Sequence, residues 1–174
     1  TESFWDQFSK KVKTTIVINL AAYKISIESD EYLVDAVNFV LKEADSFKQL
    51  QIPFGCVATD LIEGKSCFID TGDLKTAVIA SASIPGFLPP VPSNGKLLVD
   101  GAVVNNIPAN YMRKIYQPNI VIASAFQPLI SRHEHYDSIY DIGIRSASIN
   151  YQQYQDLLLE FADVAIRSDV TRYG

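Results

Sequence analysis

The chain has 174 residues, 48% of them hydrophobic and 20% charged, enough to bury one core and too few to expect several domains. A net charge of -5 and a pI near 4.9 exclude the basic stripe that a phosphate backbone needs, so nucleic acid is not an expected partner. No uninterrupted apolar run reaches the roughly 18 residues of a spanning helix, which leaves peripheral contact as the expected limit of any membrane association.

In chain order, residues 4–12 (FWDQFSKKV) set Phe4, Trp5, Phe8 and Val12 at helical spacing, predicting the end of an amphipathic helix that lacks a capped start. A second helix is expected from Ser29, where Ser29 or Asp30 is placed to cap it. Tyr32, Leu33, Ala36, Val37, Val40, Leu41 and Ala44 form its apolar stripe. Ser46 then caps a brief helical turn, FKQL.

PFGCVATD and KSCFID read as two strands joined by a turn at LIEG, with Asp60 as the turn cap. If Asp60 pairs with Lys65, Cys56 and Cys67 share a face but sit diagonally, about 7 to 8 Å apart, too far for an unstrained disulfide. Both read as small core residues, which favours a reducing compartment.

Asp73 is placed to cap a helix, LKTAVIASAS, that must stop before Pro85. The segment IPGFLPPVPSNG reads as a rigid, packed loop carrying Phe87, Leu88 and Val91. KLLVD is a short apolar strand, PANYMRKI a helix with Pro108 in its first turn, and NIVIASAF another apolar strand. The polar loop SRHEHYD follows, then a long helix from about Asp141 to Asp163 and a short strand, VAI. Apolar strands alternating with helices predict an α/β fold with a mostly parallel central sheet covered on both faces.

The candidate chemistry lies at the strand ends. In an open α/β sheet, functional groups collect beyond the carboxyl ends of the strands, and Asp100 closes the strand KLLV just before Gly101 and Ala102. Ser81 and Ser83 fall at the end of the LKTAVIASAS helix, where small hydroxyl residues commonly satisfy the helix terminus. His133 and His135 flank Glu134 near Asp137, but with no clearly placed third ligand the run reads as a solvated loop, and no metal is expected.

ASASIPGFLPPV at 80–91 followed by LLVDGAVVNNIP at 97–108 resembles the second half of the patatin-like phospholipase domain. The likeness extends to FKQLQIPFGCVATDLIEGK before these motifs and NIVIAS after them. It implies part of a three-layer α/β/α domain and an acyl hydrolase acting on lipid or other carboxylic esters through a Ser-Asp dyad, without a cofactor. The Asp of the family's DGG or DGA signature falls on Asp100. Burial is what raises a carboxylate's affinity for a proton, and Leu97, Leu98, Val99, Val103 and Val104 supply apolar surroundings.

Around that base, Gly101 is expected to give the close backbone approach that lets the carboxylate reach a neighbouring Ser, and Ala102 occupies a position where many members have a second Gly. Positive φ there would cost about 1 kcal/mol or more with Ala. Asn105 and Asn106 are expected to hold the loop by side-chain to backbone hydrogen bonds, while Phe87 and Leu88 are candidates to line an acyl pocket. The departure from the family is the nucleophile: no serine in the sequence is framed by glycines as G-x-S-x-G. The expectation is therefore an incomplete domain over 1–174 whose nucleophile-bearing N-terminal part lies outside the chain, working in the cytoplasm or at a membrane surface. The alternative is a pseudoenzyme or lipid-binding module.

Overall fold

The computed structural model describes residues 30–126, 135–136 and 139–168; the helix expected over 4–12 lies outside them. Helix α1 spans Glu31–Leu41, with Asp30 at its N-cap position but no side-chain bond from it to the helix. The expected stripe is only partly used. Val37 is buried, and Leu41 and Ala44 pack on the cluster of Phe47, Cys56, Leu74 and Ala77. Tyr32 and Val40, however, are 80% and 73% exposed. After a 3-10 turn at Phe47–Gln49, whose Gln49 side chain accepts from the Asp45 and Ser46 N–H groups, the chain enters the sheet.

Strands β1 (Cys56–Asp60) and β2 (Lys65–Ile69) form the expected hairpin, with Asp60 opposite Lys65. Asp60 holds the turn: its Oδ1 accepts from Ile62 N at 3.0 Å and its carbonyl from Gly64 N at 2.9 Å. Helix α2 (Leu74–Ser81) starts at Asp73, whose carboxylate accepts from Thr76 N at 2.6 Å. That bond holds the Asp73 pKa below the usual carboxylate value.

Strands β3 (Val91–Ser93) and β4 (Lys96–Asp100) form a second hairpin. Its two-residue turn puts Asn94 at φ 49° and Gly95 at φ 75°, the left-handed pair that matches strand twist and that Asn-Gly accommodates well. The end of the proline-rich segment, expected as loop, is therefore an edge strand.

The sheet order is β2-β1-β4-β3 and every pairing in it is antiparallel. This corrects the expectation of a mostly parallel central sheet. The β1–β2 and β3–β4 connections are too short for a crossover, which needs a dozen residues or more. The apolar runs that suggested parallel strands instead reflect the central position of β1 and β4. One face packs under α2 through Ala58, Ala80 and Leu98, and on the other Phe68 stacks on Tyr111 at 5.2 Å.

Helix α3 is short, Ala109–Tyr111, and widens into a π turn at Met112–Tyr116 that Gln117 ends at φ 47°. Pro108 sits at its N-cap position, close to where a proline was expected. Strands β5 (Ile122–Phe126) and β6 (Val164–Ser168) pair in parallel, with α4 (Ile139–Leu159) between them in sequence. Here the parallel expectation holds. Ala123, Ala125, Leu158, Leu159 and Ile107 make a separate core. Helix α4 stops short of Asp163, whose carboxylate instead accepts from Val121 N at 2.7 Å and pairs with Arg113 at 2.6 Å. No helix among the described residues is long and apolar enough to cross a membrane.

Candidate active site

Asp100 is the last residue of β4, paired with Ala58 of β1. Its N–H donates to the Ser83 carbonyl at 2.9 Å, which ties it to the end of α2. Beyond it the chain folds into a 3-10 turn, Gly101–Val103, and Asp100 Oδ1 accepts from Ala102 N at 2.8 Å. The second carboxylate oxygen has no described hydrogen-bond partner. A half-buried carboxylate is thus fixed at a strand end with one oxygen engaged and the other without a described partner.

Gly101 approaches β1 closely, a contact distinct from the approach to a serine expected of it. A Cβ there would overlap the Val57 carbonyl oxygen and lie 2.6 Å from its carbon. Neither Gly101 nor Ala102 has a left-handed backbone, so Ala102 brings no strain. The apolar surroundings are one-sided: Leu98 and Val99 are buried, but Val103 is 55% exposed.

Asn105 and Asn106 support the loop, though through side chains and not through the backbone bonds expected. Asn105 Nδ2 donates to Asn110 Oδ1 at 3.0 Å, and Asn106 Nδ2 to Gln155 Oε1 at 2.9 Å. Buried Gln155 in turn donates to the Phe126 carbonyl at 3.0 Å, linking the loop to α4 and the end of β5. The side-chain amides face neighbouring elements because Gly101 and Ile107 carry the turn's own backbone contacts, to Val104, Asn105 and Ala109.

Phe87 and Leu88 lie in a tight turn closed by their N–H groups on the Ile84 carbonyl, with Gly86 at φ 86°. The turn follows Ser83, the Asp100 partner, and Phe87 is 58% exposed. Ser83 itself is fully buried and donates to the Ile79 carbonyl at 2.8 Å, the helix-terminal role expected of it. An apolar groove of about 610 Å³ between α1, residues 50–54 and α2 contains no titratable side chain and so carries none of this chemistry.

Both cysteines are free. The observed register makes them diagonal, as expected, and burial pushes the Cys56 thiol up to about 11. Lys96 Nζ lies 3.0 Å from Cys67 Sγ, a contact that raises the lysine pKa. His133, Glu134 and Asp137 lie outside the described residues. Among the described residues no group of three His, Cys, Asp or Glu side chains is placed to hold a metal.

The family model for patatin-like phospholipase matches residues 26–113, just over half of the chain. The chain belongs to the patatin-like phospholipase family. An uncharacterized NTE family protein of Mycobacterium tuberculosis is 40% identical over 78 residues, which is 45% of this chain and 21% of that protein. A second from the same organism is 48% identical over 59 residues, 34% of this chain and 10% of the relative. A patatin-like phospholipase domain-containing protein of Caenorhabditis elegans is 37% identical over 83 residues, 45% of this chain and 6% of the relative. The chain thus spans about a fifth or less of the length of these curated relatives.

Sequence reading missed Thr59, whose hydroxyl the fold brings to Asp100, and placed Ser81 only at a helix end, whereas its hydroxyl reaches across to β1. Thr59 Oγ1 donates to the Asp100 carbonyl at 3.0 Å, and Ser81 Oγ donates to the Val57 carbonyl at 2.7 Å. The available signal was a hydroxyl residue inside a strand that otherwise reads as core.

Proposed function

We propose that this chain carries the base of a serine acyl hydrolase that cleaves lipid or other carboxylic esters. The observation that carries the reading is the anchoring of Asp100 at the end of β4, with one carboxylate oxygen satisfied by Ala102 N and the other free of described partners. The nucleophile is a serine outside these 174 residues. As that serine attacks the ester carbonyl, Asp100 takes its proton and returns it to the departing alcohol, leaving an acyl-enzyme. Water, deprotonated by the same carboxylate, then attacks the acyl-enzyme, and the acid departs as that proton returns to the serine oxygen.

Phe87 and Leu88, beside the Ser83 tether, are the first candidates for acyl contact. Peripheral contact with a membrane surface fits a lipid substrate. No cofactor enters the scheme. Family membership supports the hydrolase class, and the chemistry of a lone fixed carboxylate supports the role of base.

The test is fluorophosphonate labelling of the full-length protein, with mass spectrometry to locate the adduct. Labelling of a serine in a G-x-S-x-G sequence outside this chain is expected, and this chain alone should not label. An adduct on Ser83 would overturn the assignment. A second reading, a lipid-binding pseudoenzyme, draws on the lack of a G-x-S-x-G in the sequence and the burial of Ser83; a full-length protein that binds lipid vesicles but never labels would establish it.

A further inference from the structure

The β1–β4 ladder stops at the Ala58–Asp100 pair, where the carboxylate emerges. The Leu61 N–H bonds the Leu97 carbonyl, so by strand alternation Thr59 and Val57 also turn their backbone groups toward β4. One more rung would set Val57 opposite Gly101 and draw the loop into the sheet. That rung does not form: the Val57 carbonyl accepts from Ser81 Oγ at 2.7 Å and lies against Gly101. The chain turns instead into Gly101–Val103, and this turn supplies the Ala102 N–H that engages Asp100 Oδ1.

Thr59 holds the other side. It is 3% exposed, and the described hydrogen bond of its hydroxyl is to the Asp100 carbonyl. Valine would fill the same space, and a buried hydroxyl is costly unless it is bonded. The bond to Asp100 is the evident return for having threonine there.

We infer that Thr59 and Ser81 are positioning residues for Asp100: one hydroxyl holds its backbone, the other ends the ladder where the carboxylate must emerge. Neither contacts the carboxylate. The inference rests on Asp100 being the base.

The experiment measures ester hydrolysis by the full-length protein carrying Thr59→Val, Thr59→Ser, Ser81→Ala or Asp100→Asn, with thermal melts alongside. A misplacement of order 1 Å costs about 100-fold in rate, so Thr59→Val should lower kcat by about 10- to 100-fold with KM changed by less than about twofold. Thr59→Ser should recover kcat to within about threefold of the parent, since it keeps the hydroxyl. If Thr59→Val does not fold, Ser81→Ala carries the same expectation. An inactive Asp100→Asn with unchanged kcat in both Thr59→Val and Ser81→Ala would overturn the positioning role alone. Equal losses in Thr59→Val and Thr59→Ser would also overturn it. An active Asp100→Asn would remove the proposed function and this inference together.

Discussion

Replacing Gly101 by alanine puts a methyl group where β1 already stands. The new Cβ would overlap the Val57 carbonyl oxygen and come within 2.6 Å of its carbon and 3.1 Å of Val57 Cβ. Carbon atoms in contact prefer about 3.5 to 4.0 Å, so the Gly101 backbone must retreat by roughly 1 Å. Val57 cannot yield easily, since its residue is 4% exposed and its carbonyl is held by Ser81. Overpacking of this kind costs about 1–3 kcal/mol, and the same displacement moves the adjacent carboxylate enough for a rate loss of about 100-fold. Urea denaturation and ester hydrolysis of full-length Gly101→Ala should therefore both fall. An unchanged midpoint together with unchanged kcat would refute the claim that close approach to Val57 is what requires glycine here.

Other substitutions probe the supports one at a time. Gln155→Leu breaks the Asn106 and Phe126 bonds while keeping side-chain bulk, and leaving those groups unpaired should cost about 2–3 kcal/mol in urea denaturation; a loss below about 0.5 kcal/mol would show that the link to α4 is idle. Asp73→Ala removes the α2 cap and should cost about 1 kcal/mol at neutral pH. Because the folded-state pKa of Asp73 is depressed, that contribution is complete above the unfolded value of about 3.9 and disappears as pH falls through the lower folded value. The parent and Asp73→Ala should therefore converge in stability at strongly acidic pH, and a gap that persists there would contradict the assignment. Native alkylation with iodoacetamide at pH 8 should modify half-buried Cys67 well before Cys56, whose thiol is pushed up to about 11; the reverse order, read by mass spectrometry, would show that the burial of Cys56 is misjudged.

Local chemistry was legible wherever a short segment decides its own structure. The Asp60–Lys65 register, the Asp73 cap and the strand ending at Asp100 each depend on a few adjacent residues. Sheet direction was not legible in the same way. Continuous apolar strands suggest parallel pairing, yet here they mark the central strands of an antiparallel sheet packed under α2. The better signal was connection length, with Asn94-Gly95 as a hairpin turn. Likewise the α1 stripe is genuinely amphipathic, but what lies against it comes from distant segments, so exposure of Tyr32 and Val40 could not be foreseen. At the site, Asp100 and Gly101 stood out because the motif is local. Thr59, 41 residues away, and Gln155 on α4 enter only when the chain folds.

The most direct test is Asp100→Asn in the full-length protein, followed by ester hydrolysis and thermal melting. Asparagine keeps the shape and the Oδ1 acceptor for Ala102 N but cannot take a serine proton. General base catalysis is worth about 100- to 10,000-fold, so kcat should fall by at least about 100-fold while the melting temperature stays within about 2 °C of the parent. A variant that hydrolyses ester at the parental rate would show that the carboxylate at the end of β4 is structural, and that the base lies elsewhere.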